Sequence, residues 1–266
     1  MQTYFVLIAA LLFQFLTPAH ASSDLSAPEI MARIHARPKG NNISSTVEMV
    51  LIGTGSHPRT YRIKTFSREN DEKKQKLFFF LDPPDVHNTA FLIDDYTEQD
   101  QKDAQWVFLP SFHKTKRVAA GKGGGSFMGS DFSHADLTTQ APKNFTFRLV
   151  KESKVGAHPV WIIEATPNDS EIMAEYGYSK SYLLVRKDNF VVIRSVHWVL
   201  GKNILKYIEI KQLELIDGIW VPMEILAKTV RNKKVLHQTI LHINSIAFDQ
   251  PFSEDFFSIQ RLEQGL

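Results

Sequence analysis

The stretch "RVAAGKGGGSFMGSDFSHADL", Arg117 to Leu137, gathers the residue types most able to do chemistry. Asp131, His134 and Asp136 supply oxygen and nitrogen ligands at close spacing. A metal-assisted hydrolase would need them to converge and leave one coordination position open for water. Ser126 and Ser130 lie near His134, but neither sits in a Gly-x-Ser-x-Gly elbow between a strand and a helix. Gly121, Gly123, Gly124 and Gly125 invite comparison with a phosphate cradle. Such a cradle needs a following helix whose amino end faces the anion, and here Phe127 and Met128 follow instead. Asp131 and Ser130 have a plainer use, as caps of the short turn "SHADL".

The other reading of this stretch is mechanical. Four glycines in five positions keep a loop loose, and Phe127 and Met128 beside them form an adaptable apolar tip. Lys114, Lys116, Arg117 and Lys122 form a local basic cluster. Glycine, apolar tip and cations together suit an amphiphile with an anionic headgroup. The plain alternative is that Phe127 and Met128 plug the core.

Stepping outward, the elements that must position these residues are mostly strands. "SAPEIMARIHAR" reads as a helix: Ser26 can cap it, Pro28 is tolerated in the first turn, and Ile30, Met31 and Ile34 share one face. After Pro38 and Gly40 the pattern turns to period two. "TVEMVLIG", "KLFFFLD", "QWVFLP", "FTFRLVKES" and "HPVWIIEAT" are among eleven to thirteen strand candidates with short connections, which predicts an antiparallel sheet rather than βαβ units. Asp217-Gly218 is a tight-hairpin signal and Asn232 marks another turn. In "YIEIKQLELI", Ile208 and Ile210 share one parity and Leu213 and Leu215 the other, so a one-residue bulge near Lys211-Gln212 is needed for a single apolar face. Such a bulge also bends the sheet. Short helices are expected at "SEIMAEYG" and "SEDFFS".

Bulk properties narrow the function. Residues 1–21 read as a signal peptide: an apolar core, then Pro18 and the small-x-small site Ala19-His20-Ala21. The remaining residues, 22–266, read as a single exported domain. There is no cysteine, so the fold must rely on its apolar core, thiol chemistry is excluded, and the acyl-attachment residue of a lipoprotein is missing. A net charge of +2 lacks the concentrated basic surface of a nucleic-acid binder.

"GSFMGSDFSHADL", with "FFFLDPPDVHNTAFLIDDY", "QWVFLPSFHKTKRV", "GYSKSYLLVRKDNFVVIRSVHW" and "ELIDGIWVPMEI", resembles the bacterial outer-membrane lipoprotein-sorting proteins, the LolA-like periplasmic carriers. The resemblance implies an eleven-stranded antiparallel sheet curved into an incomplete barrel, with short helices covering its open side. It implies a periplasmic carrier that shelters the acyl chains of a lipid or lipoprotein. Such a carrier would use no cofactor and perform no chemistry. Its partners would be an inner-membrane donor, in some relatives an exporter of the RND type, and an outer-membrane acceptor, with only transient membrane contact. An alternative is an adaptor that docks on such an exporter and carries nothing.

Burying a methylene is worth roughly 0.8 kcal/mol, so ~15 of them are worth ~12 kcal/mol. Only a deep recess shelters that much hydrocarbon. Candidate lining residues are Phe78 with Phe80, Trp106 with Phe108, and Trp161 with Ile163, each pair sharing one face of its strand. Ile30, Met31 and Ile34 would form a lid, and Phe127 and Met128 would sit near the mouth. Lys114, Lys116 and Arg117 would meet a headgroup. Period-two aromatics and an amphipathic helix are equally the pattern of an ordinary core.

Overall fold

Tight turns set the architecture. Asp217 and Gly218 both take positive φ (50° and 77°), as do Asn232 and Lys233 (49° and 64°), the geometry of two-residue hairpin loops whose twist matches the flanking strands. The computed structural model describes residues 25–55, 57–96, 101, 103–118 and 125–266. The signal-peptide reading and Gly121, Lys122, Gly123 and Gly124 lie outside the described residues.

Helix α1 is Ala27–His35. Ser26 caps it as expected: its Oγ accepts from the Glu29 N–H while the Glu29 carboxylate accepts from the Ser26 N–H at 2.8 Å. That reciprocal pair satisfies two amino-terminal donors. Then follow β1 (Ile43–Gly53), β2 (Arg59–Glu69), β3 (Lys73–Asp82), β4 (Ala90–Tyr96), β5 (Ala104–Leu109) and β6 (Lys114–Arg117). The second half holds β7 (Phe145–Val155), β8 (His158–Pro167), α2 (Ser170–Tyr176), β9 (Tyr178–Arg186), β10 (Val192–Val199), β11 (Leu205–Ile216), β12 (Ile219–Arg231), β13 (Lys234–Ala247) and α3 (Ile259–Gln264). "SEDFFS" gives only a 3₁₀ turn at Glu254–Phe256, and α3 after it was not anticipated.

Among the described residues the strands form one antiparallel sheet of thirteen, two more than the resemblance implies, in the order β6-β5-β4-β3-β2-β1-β13-β12-β11-β10-β9-β8-β7. The bulge falls where the parity switch places it: pairing of β11 with β12 slips between Ile210 and Leu213. The sheet is open, since β6 and β7 are its two edges. These strands are consecutive in the chain, so residues 118–144 must bridge from one edge to the other.

That bridge reveals the curvature. His134 Nδ1 lies 2.9 Å from Gln105 Oε1 on β5, and Asp136 Oδ1 accepts from the Tyr178 hydroxyl on β9 at 2.7 Å. Strands β5 and β9 are nine places apart in the sheet, about 43 Å if it were flat. Two residues of chain span at most ~7 Å, and two side chains do not supply the rest. The sheet is therefore curled around this segment as an incomplete barrel, and the segment marks its concave side.

Register follows one face across the whole sheet. Phe78 pairs with Phe91 and Phe91 with Val107, whereas Leu77 pairs with Leu92 and Leu92 with Trp106. The first set faces inward, packing with Phe127. The second faces outward, where Phe252, Phe256, Phe257 and Leu262 cover Leu77, Phe79, Leu92, Trp106 and Phe108. Trp106 and Phe108 thus lie on the convex side beneath the carboxyl-terminal segment, not with Phe78 and Phe80. The reason is one of phase: Val107, between them, takes the inward position.

Two glycines separate backbone strain from crowding. Gly218 has φ +77° with open space beside it, while Gly40 has φ +74° and an added Cβ would lie 2.4 Å from the Phe248 ring. Gly218→Ala should cost about 1 kcal/mol from left-handed backbone alone, and Gly40→Ala clearly more. Urea unfolding of the two variants checks the ordering.

Candidate binding face

The concave face is built from inward positions of successive strands. Over β1 to β5 the larger part is apolar: Met49, Leu51, Tyr61, Ile63, Phe80 and Phe91 are buried, with Phe78 and Val107 half-buried against them, while Lys76, Asp95 and Gln105 bond residues 134–139. Over β9 to β13 the same phase carries polar groups. Ser181 faces His197 across β9 and β10, His197 pairs with Lys206, Lys206 with Thr229 and Thr229 with His237.

Residues 125–137 fill this trough as a small plug. The Phe127 N–H donates to Phe132 O at 2.8 Å, and the Ser130 N–H to Phe127 O at 2.9 Å. Met128 and Gly129 turn the chain between them with φ of 50° and 75°. The hairpin aims Phe127 into the apolar half, with ring centroids 4.9 Å from Phe91, 5.8 Å from Phe78 and 6.1 Å from Phe80. Phe127 is a buried plug, and Met128 packs half-buried on the same cluster.

Asp131 fixes the plug to the polar half. Its side chain is 1% exposed. Thr229, His237 Nδ1 (2.7 Å) and Thr239 Oγ1 (2.8 Å) all donate to its carboxylate. The Asp131 N–H in turn donates to Thr239 Oγ1 at 2.9 Å. Asp131 therefore caps nothing. Ser133 is the cap of the 3₁₀ turn His134–Leu137, in a reciprocal pair with Asp136.

A second anchor lies beside it. Lys206 Nζ is 2.8 Å from Asp136 Oδ2 and 2.6 Å from the Tyr178 hydroxyl, all three side chains being buried or nearly so. Burial raises the Asp136 carboxyl, but the Lys206 ammonium and the hydrogen bonds outweigh it and hold it below the usual carboxylate range. Burial, aided by Asp136, pushes the Tyr178 phenol well up. His197 stacks on Tyr178 at 4.6 Å, and its two ring nitrogens each lie 2.7 Å from a hydroxyl, of Ser181 and Ser195. Burial pushes His197 down to about 4.

Asp131, His134 and Asp136 thus serve three different regions of the sheet: β12 and β13, β5, and β9 with β11. They do not converge on a common point. Among the described residues no group of three or more His, Asp or Glu side chains does. The remaining expected residues divide into separate sets. Ile30, Met31 and Ile34 of α1 pack on Trp161 and Ile163 in one cluster with Val185. Lys114 and Lys116 of β6 pair with Leu109 and Val107, which puts them on the concave phase. Arg117 lies on the convex phase, 6.0 Å over the Trp106 ring. The residues not anticipated are Gln105, Tyr178, Ser181, Ser195, His197, Lys206, Thr229, His237 and Thr239. Their one signal is polarity recurring at alternate positions of neighbouring strands.

Two expectations follow. Asp131→Ala leaves three donors, on Thr229, His237 and Thr239, without their acceptor, so it should destabilise by about 2–4 kcal/mol, read from the urea midpoint. His197 has a folded value of about 4 against 6.5, so the unfolded chain binds the proton more readily. Stability is whole above 6.5 and is lost as pH falls toward 4, with burial of His134 acting in the same direction. In His197→Gln, the stability difference between pH 7 and pH 4.5 should shrink by about 2–3 kcal/mol.

Three solved structures share this architecture. A DUF1329 family protein from Desulfovibrio piger superposes with a TM-score of 0.79 at 24% identity, over 88% of this chain and 96% of that one. A putative outer membrane lipoprotein-sorting protein domain from Vibrio parahaemolyticus gives 0.79 at 24%, over 88% and 97%. A LolA superfamily protein from Nitrosomonas europaea gives 0.67 at 16%, over 88% and 98%. At these identities the likeness establishes the fold. No curated protein matches the sequence. A family model described as uncharacterized-protein-like matches residues 72–264. With more than half of its length matched and this sheet around it, the chain belongs to that family, one of LolA-like fold.

Proposed function

We propose that the protein is a periplasmic carrier that shelters the acyl chains of a lipid or lipoprotein in its concave trough and performs no chemistry. The observation that carries this reading is the apolar half of the trough. It is closed by Phe127, a ring from a hairpin that belongs to no strand of the sheet. Magnitudes favour exchange. A buried Phe side chain is worth about 1.5–3 kcal/mol, and a chain of ~15 methylenes ~12 kcal/mol, so a tail that covers more apolar surface than the ring offsets what displacing the ring costs. Phe78, Phe80, Phe127 and Met128 would meet the tail first. Trp161 and Ile163 under Ile30, Met31 and Ile34 would form a second apolar stretch, and Lys114 and Lys116 would reach a headgroup from the concave side. Periplasmic residence rests on the leader-like residues 1–21 and the carrier-like fold. The donor and acceptor membrane proteins, an RND-type exporter among them, belong to the same reading.

A second reading has its own support. The plug and α1 already occupy much of the concave face, as in an adaptor that docks on an exporter and carries nothing. Uptake of a fluorescent fatty acid by delipidated protein separates the two. For a carrier, uptake occurs at micromolar probe, Phe127→Ala strengthens it severalfold, and Trp106→Ala on the convex side leaves it unchanged. If neither the native chain nor Phe127→Ala takes up probe, the adaptor reading stands.

A further inference from the structure

The turns joining β1 to β2, β10 to β11 and β12 to β13 open from the same end of the barrel, because the strands alternate in direction. Two contacts hold these turns side by side. Asn203 Nδ2 donates to Asn232 Oδ1 at 3.2 Å, and Thr54 Oγ1 donates to Leu236 O at 3.0 Å. Their surface has one character. Residues 231–236, "RNKKVL", are all exposed, as are 200–203, "LGKN". Lys202, Arg231, Lys233 and Lys234 are cations, and neither 199–206 nor 225–244 contains an Asp or Glu. Among the cations stand apolar side chains that water still reaches: Leu200, Val235 and Leu236 are 39%, 40% and 36% exposed. The opposite end carries Asp71 and Glu72, Asp188, Asp217 and Asp249. The basic end also bears Asp85, paired with Arg59, between β3 and β4, and Asp169 and Glu171 between β8 and β9, so the basic character belongs to the three joined turns.

We propose that this basic, apolar-tipped rim docks the protein on an anionic lipid surface. Lys202, Arg231, Lys233 and Lys234 would sit among lipid phosphates, while Leu200, Val235 and Leu236 enter the boundary between headgroup and acyl chain. A bilayer surface requires only charge of the opposite sign and room for short apolar tips. The rim offers both on projecting turns. Because the cations are gathered on three adjoining turns, an anionic surface attracts that patch rather than the molecule as a whole. The rim also lies directly above the plug: His237, which holds Asp131, follows Leu236 in β13. Docking therefore brings the mouth of the trough against the lipid. The inference rests on the carrier reading for its purpose, yet vesicle binding is measurable without any cargo.

The test is flotation of the full chain with vesicles of phosphatidylcholine alone or mixed with phosphatidylglycerol. At low salt the protein should float with the mixed vesicles only, and added salt should release it. The triple variant Lys202→Glu, Lys233→Glu, Lys234→Glu changes exposed turns alone and should lower the bound fraction about tenfold. Leu236→Ser should lower it while leaving the salt dependence in place. Equal flotation with both vesicles, flotation with neither, or a triple variant that binds like the native chain would overturn the proposal. Fatty-acid uptake by the same triple variant keeps the two ideas apart. Native-level uptake without flotation isolates the rim, and native flotation without uptake sinks carriage alone.

Discussion

The structure depends on one topological constraint: β6 and β7 are successive strands and also the two edges of the sheet. The chain between them cannot pass around the outside as a short loop, so it crosses the open side of the barrel and enters it. An open edge is a hazard because its N–H and C=O groups seek partners. Here the crossing segment draws the two halves of the sheet together through side chains instead. His134 reaches β5, Asp131 reaches β12 and β13, and Asp136 reaches β9 and β11. Lys76 of β3 also donates to Leu137 O, and the Thr139 N–H donates to Asp95 of β4 at 2.7 Å. Those bonds tie β3–β5 to β9–β11 across the concave face.

How much of this was legible in the sequence varies with the range of the interaction. The Ser26 cap, the turns at Asp217-Gly218 and Asn232, and the bulge at Lys211-Gln212 are local events, and the residues that cause them lie within a few positions. The concave face was less legible because both phases of the early strands are apolar. In "KLFFFLD" the pair Leu77 and Phe79 is as apolar as Phe78 and Phe80. Parity then separates two faces without saying which is inside. The distinction comes from Phe252 to Leu262, about 180 positions later, which cover the Phe79 side. The same ambiguity put Trp106 and Phe108 with the wrong partners. In β10 the alternation misleads in the opposite sense, since Ser195 and His197 hold the inward phase and Arg194 and Trp198 the outward one. Asp131 could be seen as a residue with chemistry, but its partners stand about 100 positions away on β12 and β13, and no local spacing announces them.

Apolar and polar attachment hold the plug in different ways, and the difference bears on what the trough can do. Packing of Phe127 on Phe78, Phe80 and Phe91 is non-directional, so any hydrocarbon of similar volume satisfies that surface equally well. The bonds at Asp131 and Asp136 are directional and buried, and a missing partner there leaves an uncompensated charge. The segment is thus fixed at Asp131 and Asp136 and exchangeable at Phe127, with Met128 and Gly129 turning the chain between. Movement of the ring changes one apolar contact for another, whereas movement of the anchors would strand Lys206 or Asp136 in a site that water barely reaches. A tail entering at Phe127 could therefore displace the ring while the bonds that hold the barrel curled stay intact, which reconciles a filled interior with a carrier's need for space.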